Sequence, residues 1–270
     1  IARAHRPVRR DALAAAVGPL EGQDGIGKRG QGRARIDPHG LLGLQAQRLA
    51  GACRDLAHHR KGTLDFCRFL LCSGIVGITG SNGKTTTKNF LARILDDEGE
   101  TVAPVKSFNN EVGAPVTMLR VTHDTRFLVS EFGAAGPGSI ARLAGLVEPD
   151  LVVVLMVGMA HAGGFGGIEA TAKAKSELVA AARVPGTAVL NADDELVAAM
   201  ADRTSARVVL VGEAEGAHVR ATEVTVDETG RPSFTVVAPF GTARVDLGLV
   251  GRHHVGNALA VIAAAQAAGM

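Results

Sequence analysis

From Gly74 onward, short apolar runs alternate with Ala- and Leu-rich stretches of helical period. "GIVGIT" is followed by a helical stretch over 84–95, and "TVAPV" comes next. "FLVSEF" precedes a helical stretch over 139–147, "LVVVLMVG" one over 169–182, and "TAVLN" one over 195–203, before "ARVVLVG". Continuous apolar strands between helices predict an α/β fold, a mostly parallel sheet covered on both faces. The rhythm then changes. "HVRATEVTVDETGRPSFTVVAP" and "TARVDLGLVG" alternate as antiparallel strands do, with "ETGR" as a turn, and a last helix is expected over 254–268. The prediction is a parallel sheet with a phosphate loop and flanking helices, plus a small antiparallel β portion.

Residues 1–73 do not share this pattern. "IARAHRPVRR" and "GIGKRGQGRARIDPHG" are rich in Arg and Gly without a period, and "LLGLQAQRLAGACRDLAHH" has the pattern of one amphipathic helix. Three readings of this atypical basic segment stay open: a disordered arm, a small domain, or a stretch translated out of frame. Charge follows the same division. Residues 1–74 hold 13 Lys and Arg against 6 Asp and Glu, and the remainder 16 against 21, for a net charge of +2.

Composition excludes some functions. The chain has no Trp and no Tyr, so recognition of nucleic acid by base stacking lacks its usual rings. No apolar run approaches the ~20 residues of a membrane span, and "FLLCSGIVGI" reads as leading into a buried strand. Cys53, Cys67 and Cys72 match no common zinc or disulfide spacing, which fits reduced thiols in a cytoplasmic protein.

Candidate chemistry starts at "GITGSNGKTTTKNF", residues 77–90. A strand before it and a helix after it are the setting a phosphate loop needs. Gly80 and Gly83 let the backbone wrap closely, so the amides of Ser81, Asn82 and Thr86 point at phosphate oxygens. Lys84 would reach the terminal phosphates and Thr85 would ligate Mg²⁺. The strict spacing of such loops is not met, because Ile78 stands where the first glycine belongs. A metal-holding acid is expected at the end of a neighbouring strand, and Glu131 in "FLVSEFG" fits. His161, in the Gly-rich "MAHAGGFGG" beyond "LVVVLMVG", is placed for a site, though hard cations prefer oxygen. Lys173 and Lys175 are two residues apart on a predicted helix and face different directions. No guanine-reading N-K-x-D motif is present.

"TGSNGKTTTK", "SFNNEVGAPVTMLR", "SEFGA", "AHAGGFGG", "AKAKSELV", "VLNADDE" and "GRHHVGNALAVIAAA" follow one another in the order and spacing of the Mur ligases, and the chain resembles their MurF-type branch over residues 74–270. The resemblance implies a central ATP-binding domain of a ligase that activates a peptide carboxylate as an acyl phosphate and joins it to an amine. It implies ATP and Mg²⁺ as cofactors, with UDP-MurNAc-tripeptide and D-Ala-D-Ala as substrates. Lys84, Glu131, His161 and Lys175 become the catalytic set, with Thr85, Glu131, His161 and a carbamylated Lys175 at the metal. Asn191 and Asn257 fall at adenine-nucleotide positions, and Asn109 and Asn110 near the muramoyl peptide. Met156, Ala135 and His254 depart from the family's usual residues. The resemblance further implies a cytoplasmic monomer, without nucleic acid or a membrane span, and a C-terminal domain that this chain does not include. A folylpolyglutamate-synthase-like ligase and a non-catalytic ATP-binding module are the alternatives.

Overall fold

The computed structural model describes residues 74–158 and 166–270. The readings of residues 1–73, of the three cysteines and of His161 lie outside the described residues.

Nine strands form one sheet in the order β2-β3-β1-β4-β5-β6-β7-β8-β9. β1 (Gly74–Thr79) lies between β3 (Phe127–Glu131) and β4 (Leu151–Val154), parallel to both. β2 (Thr101–Val102) adds to β3, while β5 (Thr187–Asn191) and β6 (Arg207–Gly212) extend the parallel side. β7 (Val219–Val226) takes a short parallel register with β6 and then pairs antiparallel with β8 (Pro232–Ala238), which pairs with β9 (Gly241–Asp246). The antiparallel portion is therefore the far end of the same sheet. Connections from β1 run to one side and the connection from β3 crosses to the other, so the chain changes direction around β1. Such a switch opens a crevice beyond the strands' C-terminal ends.

Period-2 alternation divides the core into two. Val76, Ile78, Phe127, Val129, Leu151 and Val153 face α1 (Lys84–Asp96) and α6 (His254–Ala267). Ile75, Leu128, Val152 and Val154 face α2 (Gly113–Met118), α3 (Ser139–Ala144), α4 (Ile168–Ala180) and α5 (Glu195–Ala198). Helix α6 is mostly Ala, Val, Leu and Ile, and ten of its residues are buried between α1 and the sheet.

The elements differ from the pattern reading at a few points. The TVAPV strand stops after two residues, because Pro104 cannot donate to a ladder. The predicted helix over 195–203 divides into α5 and a 3₁₀ turn at Ala199–Arg203. Helix α2 has no counterpart in the pattern, since "GAPVTM" carries both a glycine and a proline. Pro115 sits in its first turn, the part of a helix that tolerates proline.

Gly77 fixes how β1 packs. A Cβ there would meet Phe132 Cε2 at 2.8 Å and Leu178 Cδ1 at 3.0 Å, and both of those side chains are fully buried. We expect Gly77→Ala to destabilise the fold by about 1–3 kcal/mol through overpacking, read as a lower urea midpoint. An unchanged midpoint would mean that Phe132 moves aside freely.

Candidate functional site

The phosphate loop forms where β1 gives way to α1. Gly83 precedes the helix with φ of 83°, and a Cβ on it would collide with Asn257 Oδ1, so both backbone and space require glycine here. No side chain caps α1 and its first turn carries no acid. The first amides of this 13-residue helix and the positive end of its dipole are left for an anion. Lys84 Nζ donates to the Gly80 carbonyl at 2.8 Å. Thr85 and Thr86 are half-buried, and Asn82 is exposed.

The loop is stitched to the extension of β4. Ser81 N donates to the Met156 carbonyl at 2.9 Å, and Gly158 N donates to Ser81 Oγ at 2.8 Å. From the other side, Asn191 Nδ2 donates to the Leu155 carbonyl at 2.9 Å, and Val157 N donates to Asp194 Oδ2 at 2.7 Å. Segment 155–158 is thus gripped on both sides just before the stretch that carries His161. Asp194 was not anticipated; its place as the cap of α5, with Leu196 N and Val197 N donating to it, is a signal that "NADDE" did contain.

Glu131 ends β3 beside the loop and is 1% exposed. Thr85 Oγ1 donates to Glu131 Oε2 at 3.1 Å and Asn109 Nδ2 to Oε1 at 2.8 Å. Thr85 Oγ1 also lies 2.9 Å from Ser107 Oγ. Ser107, unlike Asn109, was missed, and nothing in its local sequence singles it out. Asn110 acts on the backbone beyond it. Val112 N and Gly113 N donate to its Oδ1 at 3.1 and 2.8 Å, which starts α2.

Of the two lysines on α4, Lys173 is exposed and Lys175 is buried. Burial, with the charge of Lys84 nearby, lowers the Lys175 pKa from its usual 10.5 to about 8. Burial also lowers Lys84, against the opposing pull of Glu131. A third cation, Lys88, is buried one helical turn beyond Lys84, and its pKa is lowered by burial and partly restored by Glu131. The i, i+4 spacing could have flagged it. Asn257, 7% exposed, lies against Gly83 and shares a 3.3 Å contact with His254 Nδ1.

The structure therefore gathers Gly80–Thr86, Glu131, Asn109, Lys175 and Asn257 around one strand edge, and holds Asn191 one step back, behind Leu155. The oxygen donors suit a hard cation: a buried carboxylate and a hydroxyl, with no ion pair to Glu131 among the described residues. Among the described residues no cluster of three His, Cys, Asp or Glu side chains could hold a metal alone. No helix among them is long and apolar enough to cross a membrane.

Known proteins resemble this chain in both sequence and fold. The Mur ligase middle domain family matches residues 78–265. The UDP-N-acetylmuramoyl-tripeptide–D-alanyl-D-alanine ligase of Mycobacterium tuberculosis H37Rv is 50% identical over 191 residues, 71% of this chain and 38% of that protein. A crystal structure of MurF from Acinetobacter baumannii superimposes with a TM-score of 0.71 at 30% identity, covering 84% of this chain and 47% of that one. MurF from Thermotoga maritima in complex with ADP gives 0.67 at 27% identity, covering 79% and 48%. The chain spans about two fifths of the length of the curated relatives it matches. Its strand order, its loop and the extent of the family match agree, and the chain belongs to the Mur ligase family through that family's middle domain.

Proposed function

We propose that this chain supplies the nucleotide-handling domain of an ATP-dependent ligase that adds D-Ala-D-Ala to UDP-MurNAc-tripeptide in the cytoplasm, during peptidoglycan precursor synthesis. The names of relatives at up to 50% identity support this reading, as does the ADP bound in the T. maritima neighbour. The observation that carries it is the convergence of an uncapped helix N-terminus, Lys84, Thr85 and buried Glu131.

In this reading the amides of residues 81–86 and Lys84 hold the terminal phosphates of ATP. Lys84 exchanges the Gly80 carbonyl for phosphate oxygens. Thr85 and Glu131, with His161 and a carbamylated Lys175, would hold Mg²⁺, and a metal bound there would supply positive charge against the phosphates. The peptide carboxylate then attacks the γ phosphorus. An O–P bond forms, the bond to ADP breaks, and an acyl phosphate results. The amine of the second substrate attacks the acyl carbon, phosphate leaves and the nitrogen loses a proton. The chain contributes position and charge rather than a covalent group. Asn257 and Asn191 shape the nucleotide seat, Asn191 by holding Leu155. Asn109 and Asn110 lie on the side of the muramoyl peptide.

Carbamylation requires a neutral amine. With a pKa of about 8, Lys175 is about half neutral at pH 8, against less than about 1% for an ordinary lysine. The modified side chain would place an oxygen-bearing anion beside the Lys84 ammonium, whose charge disfavours a second cation there.

Two outcomes test this reading. Lys84→Ala should weaken binding of ADP with Mg²⁺ by about 100-fold, measured by calorimetry, and an unchanged affinity would sink the phosphate-loop assignment. In ¹³C-bicarbonate, a carbamate resonance should grow as pH rises through about 8 and vanish in Lys175→Ala. A spectrum identical in both chains would remove Lys175 from the metal site.

A further inference from the structure

Lys88 has no part in the scheme above, yet its position is costly. It is 2% exposed and lies in the buried stripe of α1 with Thr87, Leu91 and Leu95. Lysines are almost never this buried without a partner. No carboxylate among the described residues lies within ion-pairing distance of it. Its ammonium instead donates to two backbone carbonyls, Pro104 at 2.8 Å and Lys106 at 3.2 Å. These belong to the turn that follows β2, where Lys106 takes a left-handed φ of 63°. A non-glycine residue there is uncommon, and such strain persists only where surrounding contacts fix it.

The turn leads directly to the residues that touch the metal-holding pair. Ser107 Oγ is 2.9 Å from Thr85 Oγ1, Asn109 Nδ2 donates to Glu131 Oε1, and Gly133 N donates to the Asn109 carbonyl at 2.7 Å. Val105, Ser107 and Phe108 are exposed, so apolar burial does little to hold this stretch. The tether at its root is Lys88, on the same helix face as Lys84, one turn further along.

We propose that Lys88 is a positioning residue: its buried ammonium pins the 104–106 turn to α1, so that Ser107 and Asn109 orient Thr85 and Glu131 for the metal–nucleotide complex. A hydrocarbon at position 88 would fill the space but leave both carbonyls without their donor. The segment would then lose its root, while the phosphate loop, stitched separately to Met156 and Gly158, would keep its shape. The metal part of this inference rests on the function proposed above, and the tether itself does not.

The test uses the full 270-residue chain with Lys88→Met, which removes the donor and keeps the bulk, and Lys88→Arg, which restores a cationic donor. Hydrogen exchange at the amides of residues 107–113 should quicken at least about tenfold in Lys88→Met while β3 and β4 keep their protection. ADP affinity should fall several-fold with Mg²⁺ and stay unchanged in EDTA, and Lys88→Arg should recover part of both effects. Unchanged exchange over 107–113 would overturn the proposal. So would an equal loss of ADP affinity with and without Mg²⁺, or a Lys88→Met chain that does not fold, since either would make Lys88 a plain stability contact. If the parent chain gained no ADP affinity from Mg²⁺, the proposed function would fail, and the exchange measurement would still decide the tether.

Discussion

Removing a carboxylate from water costs several kcal/mol unless hydrogen bonds or an opposite charge replace the lost hydration. Glu131, at 1% exposure, imposes that demand at the strand edge where the chain changes direction. The donors it receives come from two separate segments: Thr85 from the first turn of α1, and Asn109 from the stretch after β2. Meeting the needs of one side chain therefore brings together a helix start, a strand end and a loop from different parts of the sequence. Because β3 pairs with β1 through Ile78↔Glu131, one residue before Thr79 ends β1, the register alone delivers the carboxylate beside the loop.

The surrounding charge has one direction. Lys84, Lys88 and Lys175 are all partly or wholly withdrawn from water, Lys84 and Lys88 feel the charge of Glu131, Lys175 feels that of Lys84, and burial weakens the proton affinity of each. A site with this imbalance favours a polyanion. Under the proposed function, a nucleotide's phosphates would relieve the repulsion between Lys84 and Lys175, and a neutral or carbamylated Lys175 would relieve it by another route. The uncapped N-terminus of α1 adds its dipole in the same sense. The pressure toward anion binding is thus built from desolvation and backbone geometry as much as from net charge, which for the whole chain is only +2.

The parallel sheet could be read from the sequence because its strands, buried on both faces, are continuous apolar runs, and the phosphate loop because its glycines sit between a strand and a helix. Spacing could say that Lys173 and Lys175 diverge, but not which one turns inward, since that depends on where α4 lies against the sheet. Lys88 and Ser107 were harder still: both act on partners about twenty residues away, through a turn whose left-handed Lys106 has no sequence signature. Helix α2 was hidden by Pro115, which usually breaks a helix and here occupies the one turn that accepts it.

The resemblance marks Met156, Ala135 and His254 as departures from the family pattern, and their contacts differ in kind. At Met156 the loop uses the backbone: Ser81 N reaches its carbonyl, and the side chain offers only a 3.9 Å sulfur contact to exposed Asn82. At Ala135 the contact is again backbone, its N–H donating to Ser139 Oγ at 3.1 Å. Any side chain can serve a backbone contact, so these two changes leave the loop's support intact. His254 differs, because its ring meets Asn257, and Asn257 Oδ1 closes over Gly83. Burial and the adjacent His253 ring, 4.1 Å away between centroids, lower the pKa of His254 and hold it neutral, so its Nδ1 can accept from Asn257 Nδ2 near pH 7. Of the three departures, this is the one whose side chain reaches the phosphate loop through a buried partner, and it does so by a hydrogen bond that a protonated imidazole could not make.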